Sequence, residues 1–423
     1  MPRNTLGIAT TSHLSRCRLR STGSSPRGLS NLGNTCFMNA VMQCVATTPL
    51  LHPHIIETQQ RQELILSSPA SKALICALGE LFVGMNPRRQ EAADAESSRS
   101  PAKLLGALSA LYPHMFDGNQ QDAQEFLVCL LGFLGDTLKR RPIAEKPSSQ
   151  LCIGDSNGRH DRVVATEWWV SHIVNEPSVI NTLFSGQFKS ALTCTRCEHQ
   201  SARFEPFSSL QLPLIENNHD FHLQSLCSTE YLGASCSQCQ QSTPHTKQLS
   251  LWSLPPLLVL QLKRFELSTN NGNYQWKKLS HNVDFPVRDL DLRDLLSPID
   301  GGHDDSEPCT DRCFIDALDP RVRRGIEYLQ NDLNIPLTSA SRSCIKYDLY
   351  AVVNHCGRGI SSGHYTAHIR RPDETCWWLA DDTVVTPLSE DEVSPSSTAY
   401  LLFYVRQDVA TGATELSDLF PTT

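Results

Sequence analysis

The sequence predicts an α+β fold, on three observations. Segments with helical apolar spacing fill the first third of the chain. From Gln187 onward the apolar period shortens to that of strands. Two C-x-x-C pairs sit among those strands. Helices first and strands later mark an α+β protein rather than an alternating parallel one. At 423 residues and 40% apolar, the chain is long enough for one large domain or two to three ordinary ones. No run of 18 apolar residues occurs, so no membrane span is expected. A net charge of −8 argues against a nucleic-acid binder. There are 16 cysteines and no apolar leader in the first twenty residues, which points to reduced thiols in an intracellular compartment, cytoplasmic or nuclear.

Residues 1–27 carry Arg3, Arg16, Arg18, Arg20 and Arg27 among Ser and Thr, and no acid precedes Glu57. Mitochondrial presequences share that composition. A disordered tail is the expectation.

The stretch Gly28-Leu-Ser-Asn-Leu-Gly-Asn-Thr-Cys36 reads as a sharp turn opening a helix at Cys36, with Asn34 or Thr35 as its cap. A helix start favours a thiolate and lowers the thiol pKa, so Cys36 is a candidate nucleophile. Helical patterns cover 36–47, 61–84, 101–112 and 120–140. Asp122 and Glu125 lie three apart at the start of the last of these, where acids suit the helix dipole. Residues 86–100 and 142–165 read as polar loops.

Strands are predicted at 187–193, 202–212, 246–252, 257–265, 346–356, 364–370 and 399–405. Cys194-Thr-Arg-Cys197 and Cys236-Ser-Gln-Cys239 can each offer two thiolates from a tight turn. Together they form a closed tetrahedral four-thiolate site for one structural Zn²⁺; a redox pair is the alternative. His364 follows a glycine-rich loop and opens a strand, and Asp381-Asp382 ends the next one. If those two strands pair, their open end brings a carboxylate to His364, which fixes the imidazole and supplies a base for Cys36. Residues 297–343 read as an insertion, helical in part around 320–333, and 407–423 as a disordered tail.

These motifs, in this order, resemble the ubiquitin-specific proteases, which are papain-like cysteine deubiquitinases. The resemblance rests on Gly28–Cys36, Gln120–Leu127, Ile180–Gly186, Leu254–Phe265, Tyr347–His355, Gly363-His364-Tyr365 and Asp381-Asp382. It spans about 28–406. It implies a hand-like fold: a helical thumb at about 28–140, zinc-bearing β-fingers at about 187–253, and a β-palm in the remainder. It implies Cys36, His364 and Asp381 as the triad and Asn31 as an oxyanion-hole side chain. Asp382 remains an alternative orienter. Gln120, Asp122, Glu125, Gly363 and Tyr365 are implied as contacts for ubiquitin, and ubiquitin with ubiquitinated proteins as partners. Ala380 departs from the pattern, which usually has a large apolar residue before the Asp pair. The implied activity is hydrolysis after the last glycine of ubiquitin through a Cys36 thioester. The alternative is a catalytically weak or inactive ubiquitin-binding scaffold of the same fold.

Overall fold

The computed structural model describes residues 25–60, 68–85, 100–140, 153–156, 158–215, 221–270, 273–298, 312–336, 345–359, 362–371 and 376–420. Of the N-terminal tail expected over 1–27, residues 1–24 lie outside the described residues.

The helical layer comprises α1 (Cys36–Ala46), α2 (Leu51–Gln60), α3 (Pro69–Met85), α4 (Ala102–Leu111), α5 (Ala123–Thr137), α6 (Asp161–Asn175) and α7 (Val179–Phe184). Helix α1 is buried almost throughout, because Phe37, Met38, Val41, Met42, Cys44 and Val45 leave it no polar face. Helix α6 starts inside the expected loop at 142–165. Its first turn holds Asp161, which pairs with Lys189 in the interior.

The strands form two main sheets. The fingers sheet has the order β2-β1-β5-β4, from β1 (Gly186–Cys194), β2 (Gln200–Phe207), β4 (Thr229–Cys236) and β5 (Gln241–Ser253). The palm sheet has the order β13-β12-β11-β10-β14-β6-β3, and β9 (Leu290–Asp291) pairs with β10. Its strands are β3 (Leu210–Pro213), β6 (Leu257–Lys263), β10 (Lys346–Gly359), β11 (Ser362–Ile369), β12 (Trp377–Asp381), β13 (Val384–Leu388) and β14 (Ala399–Arg406). The single strand expected at 202–212 divides at Ser208-Ser209, so β2 joins the fingers and β3 runs parallel to β6 in the palm. The strand expected through 265 breaks at Arg264, after which β7 (Phe265–Asn270) and β8 (Asn273–Lys278) form a separate hairpin. Arg264 is fully buried and donates to the carbonyls of Leu279, His281, Ser396 and Ala399.

Both faces of the palm sheet are covered. Leu401, Phe403 and Val405 of β14 pack in the core shared with the helices, while Leu402 and Tyr404 pack in a second core with Phe285, Leu290 and Trp377. That explains why β14 is apolar at nearly every position.

One expectation is met here and one corrected. Within the expected insertion, helix forms around 320–333 as expected, and Arg312–Ala317 and Pro320–Glu327 form α8 and α9. Leu318, Val322, Leu329, Leu333 and Ile335 enter the thumb core, so this segment is part of the domain's packing. The expected tail is ordered from 407 to 420, as α10 (Gln407–Ala410) and α11 (Leu416–Leu419). Its apolar residues explain the order: Val409, Leu419 and Phe420 are buried, and the Arg140 guanidinium lies 3.9 Å from the centre of the Phe420 ring. Among the described residues no helix is long and apolar enough to cross a membrane.

Phe420→Ala empties a packed site and removes a cation–π partner. It is expected to lower unfolding stability by about 3 kcal/mol, read from urea denaturation. A change within error would place Phe420 outside the cooperative core.

Candidate functional site

The site forms where the start of α1 meets the β11–β12 hairpin. The turn before α1 is tight: Gly33 has φ +102° and Asn34 φ +52°. Gly28 packs directly on the β12–β13 turn, where a Cβ would lie 2.4 Å from the Asp382 carbonyl oxygen, so only glycine fits. Thr35 occupies the cap position, but its hydroxyl does not cap the helix. It accepts from the Leu32 N–H at 2.9 Å and donates to Asn31 Oδ1 at 3.2 Å, bracing the turn instead. Asn34 donates to the Gly118 carbonyl at 2.8 Å. The expected cap is thus absent, and the first N–H groups of α1 are left without a side-chain acceptor.

Cys36 is only 2% exposed. Burial pushes its thiol up, and the nearby Asp382 charge adds to that. The main-chain groups of Tyr365, Phe37 and Cys36 itself pull it down, but by less. The expectation of a lowered pKa is therefore corrected: desolvation outweighs the helix start, and the resting thiol is protonated at neutral pH. Among the described residues no hydrogen bond joins Cys36 Sγ to His364.

His364 Nε2 lies 2.6 Å from Asp381 Oδ1. The hairpin register explains the meeting. Ala367 pairs with Ala380 and Ile369 with Trp378, so the open end of β11–β12 places Asp381 beside the start of β11. With Nε2 facing a carboxylate, that nitrogen carries the proton of the neutral ring and Nδ1 keeps its lone pair. Ala380 is itself buried and pairs with Ala367 of β11 and Val385 of β13, and Asp381 pairs with Val384 across the next turn.

Asp382 has a different task. Its Oδ2 accepts from Asn31 Nδ2 at 2.9 Å and its Oδ1 from Asn39 Nδ2 at 2.8 Å. Its carbonyl accepts from the Leu29 N–H at 2.8 Å. The structure thus pairs Asp381, not Asp382, with His364. Asn31 Oδ1 meanwhile accepts from the N–H groups of Gly33 and Thr35 at 3.0 and 3.2 Å.

The five expected ubiquitin contacts divide. Glu125 is exposed on the first turn of α5. Asp122 is the α5 cap, accepting from Gln124 and Glu125, and its other oxygen accepts from the Tyr400 hydroxyl at 2.7 Å. Tyr365 is buried against His355, so its ring faces the core rather than a surface. Gln120 and Gly363 bind each other through both main-chain groups of Gly363. Asn39 was missed by sequence reasoning, although a polar residue one turn beyond Cys36 in an apolar helix is a readable signal.

The four cysteines converge at the fingertip. Their Sγ atoms all lie within 4.8 Å of one another, with Cys194–Cys239 at 3.9 Å and Cys197–Cys236 at 3.5 Å. A tetrahedron of Zn–S bonds near 2.3 Å has edges of about 3.8 Å, so the donor set fits such an ion. The two turns are built alike: Glu198 and Gln240 both take positive φ, and each N–H returns to the carbonyl of the first cysteine of its pair.

Comparisons with known proteins agree with this geometry. The family model described as "Ubiquitin carboxyl-terminal hydrolase" matches residues 27–404. Rat ubiquitin carboxyl-terminal hydrolase 2 is 31% identical over 386 residues, covering 89% of this chain and 53% of its own. Human ubiquitin carboxyl-terminal hydrolase 21 is 31% identical over 407 residues, covering 90% of this chain and 62% of its own. The chain thus spans about half to three-fifths of the length of these relatives. A solved structure, the SAGA Ubp8/Sgf11/Sus1/Sgf73 DUB module bound to ubiquitin aldehyde, superposes with a TM-score of 0.62 at 22% identity. The match covers 93% of this chain and 73% of that one.

Acid should weaken this region. Burial, and after it the Lys278 charge, lower the His355 pKa to about 4. The folded state therefore favours the neutral ring. That stabilisation is complete above the ordinary value near 6.5 and is lost as pH falls through about 4. The urea midpoint is expected to drop across that window, and to drop less steeply in His355→Gln. Parallel profiles for the two proteins would show that His355 does not contribute.

Proposed function

The chain belongs to the ubiquitin carboxyl-terminal hydrolase family, and from that premise we propose that it is a cysteine deubiquitinase, with Cys36 as nucleophile, His364 as base and Asp381 as its orienter. The observation that carries this reading is the 2.6 Å contact between His364 Nε2 and Asp381. It leaves Nδ1 as the ring nitrogen available to serve as base.

The raised thiol means that His364 acts as a general base rather than resting as an ion pair. As Cys36 Sγ attacks the carbonyl carbon of the last ubiquitin glycine, its proton passes to Nδ1 and the carbonyl π pair moves to oxygen. The uncapped N–H at the start of α1 and the second Asn31 Nδ2 hydrogen are the donors available to that oxyanion. Collapse breaks the C–N bond, and the imidazolium returns its proton to the leaving amine. Water, deprotonated by His364, then cleaves the thioester and regenerates the thiol. Asp381 stabilises the imidazolium in both halves.

For the four cysteines we propose one structural Zn²⁺. Four thiolates leave no open position for chemistry, so the metal's contribution is to hold two turns together. The solved relative's ubiquitin aldehyde complex supports ubiquitin as the partner of this chain.

Two measurements test these assignments. Ubiquitin with an electrophilic C-terminus is expected to form one covalent adduct with the wild-type chain and none with Cys36→Ala, read by intact mass. An adduct that persists in the variant, or none with the wild type, would overturn the assignment. Metal analysis is expected to give one zinc per chain, and Cys239→Ser to lose it with a lower melting temperature. Purified wild-type protein with well under one zinc would sink the second proposal.

A further inference from the structure

Gln120 lies in the loop between Asp117 and the start of α5, and this loop touches both halves of the site. On one side, Gly118 accepts from Asn34, two residues before Cys36. On the other, Gln120 grips the residue before His364. Its Nε2 donates to the Gly363 carbonyl at 2.5 Å, and its Oε1 accepts from the Gly363 N–H at 2.9 Å. One carboxamide therefore satisfies both main-chain groups of Gly363, as a neighbouring strand would.

Gly363 is also confined from behind. A Cβ on it would lie 2.4 Å from His355 Nε2 and 2.9 Å from the Cys356 carbonyl oxygen. The peptide is thus held between the thumb loop and the body of the palm. The loop that supplies Gln120 is itself stiff. Asp117 accepts from the Asn119 N–H at 2.9 Å, from Asn119 Nδ2 at 2.8 Å and from Gln121 Nε2 at 3.0 Å. Asp122, two residues on, caps α5 and binds Tyr400 of β14.

We infer that Gln120 is a positioning residue: its carboxamide fixes the Gly363 peptide and, through it, holds His364 in register with Cys36. The inference rests on the proposed roles of Cys36 and His364. It reassigns Gln120 from a contact for ubiquitin to a contact within the site. Asp381 controls which way the His364 ring faces, whereas Gln120 controls where its backbone begins. Both constraints are needed, because no hydrogen bond ties Cys36 to His364 at rest among the described residues.

The test uses the full chain and two readouts, turnover of a fluorogenic ubiquitin amide and the pH profile of Cys36 alkylation by iodoacetamide. The second readout needs no ubiquitin, and peptide mass spectrometry resolves Cys36 from the other cysteines. In Gln120→Ala, kcat is expected to fall about tenfold with KM within about twofold. The rate of Cys36 alkylation near neutral pH should fall about tenfold across the profile, because a displaced base takes the thiol proton less readily. Gln120→Glu keeps the acceptor for the Gly363 N–H and loses the donor, so it should fall between the two. Lys103→Ala, whose ammonium pairs with Glu80 between α3 and α4 and braces no part of this loop, should match wild type in both readouts. Urea midpoints confirm that each variant is folded.

A raised KM with unchanged kcat would make Gln120 a substrate contact and overturn the inference. So would an alkylation profile identical to wild type. If wild-type protein fails to turn over ubiquitin but the profile still falls in Gln120→Ala, the positioning role stands and the deubiquitinase reading fails.

Discussion

The site depends first on one carboxylate. Asp382 joins the turn before Cys36 to the hairpin that carries His364 and Asp381. Two side-chain amides, from Asn31 and Asn39, converge on its oxygens, and its own carbonyl receives the Leu29 N–H. Hydrogen bonds to a charged acceptor contribute about 1.5–3 kcal/mol each, so this group binds thumb to palm firmly. Its backbone is in the left-handed region, φ +47°, which Asp tolerates better than most side chains. Burial raises the Cys36 thiol most, and the nearby Asp382 adds to it, so a base is required.

Adjacent aspartates thus have separate tasks, set by chain geometry. Asp381 is the last residue of β12 and keeps the strand's alternation, so its side chain meets His364. Asp382 is in the turn, where the positive φ redirects its side chain toward α1. Beside the apolar core that thumb and palm share, hydrogen bonds cross the seam near the site: Gln120 to Gly363, Tyr400 to Asp122, and Asn39 to Asp382. Directional bonds of this kind fix atoms more tightly than surface ion pairs, and salt screens them less.

The meeting of His364 with Asp381 and the convergence of the four thiols were legible because they follow from residue type and local spacing. Strand pairing then follows from alternation, as Ala367 with Ala380 illustrates. What was not legible depended on competition between distant partners. Thr35 has the composition of a cap, yet Asn31 and the Leu32 N–H claim its hydroxyl. For Gln120 and Asp122, expected as contacts for ubiquitin, only the fold shows that Gly363 and Tyr400 reach them within the chain. The helix-start argument for Cys36 failed because burial cannot be judged from one turn of sequence. Segments 312–336 and 407–420 looked polar because their few apolar residues are widely spaced. Those few residues are the ones that enter the core. Strand β4 was missed for the opposite reason: it is mostly exposed, with Tyr231 83% exposed, and has no buried face to impose a pattern.

The same lack of a buried face bears on the metal. The fingers have an apolar core only near α6, where Val164 and Ala165 meet Ala191, Ala202, Phe204 and Trp252. Beyond it, β4 is largely exposed and the first half of β5 buries polar side chains, Thr243 and His245, on its inner face. Main-chain bonds hold the ladder of β4 and β5, and none of the apolar core clusters reaches the two turns of the tip. The two left-handed turns at Glu198 and Gln240 instead present two pairs of sulfurs at tetrahedral separations. An ion closed within four thiolates would then supply the cohesion that a small core cannot, and would leave the polar face of the fingers free to meet a protein partner.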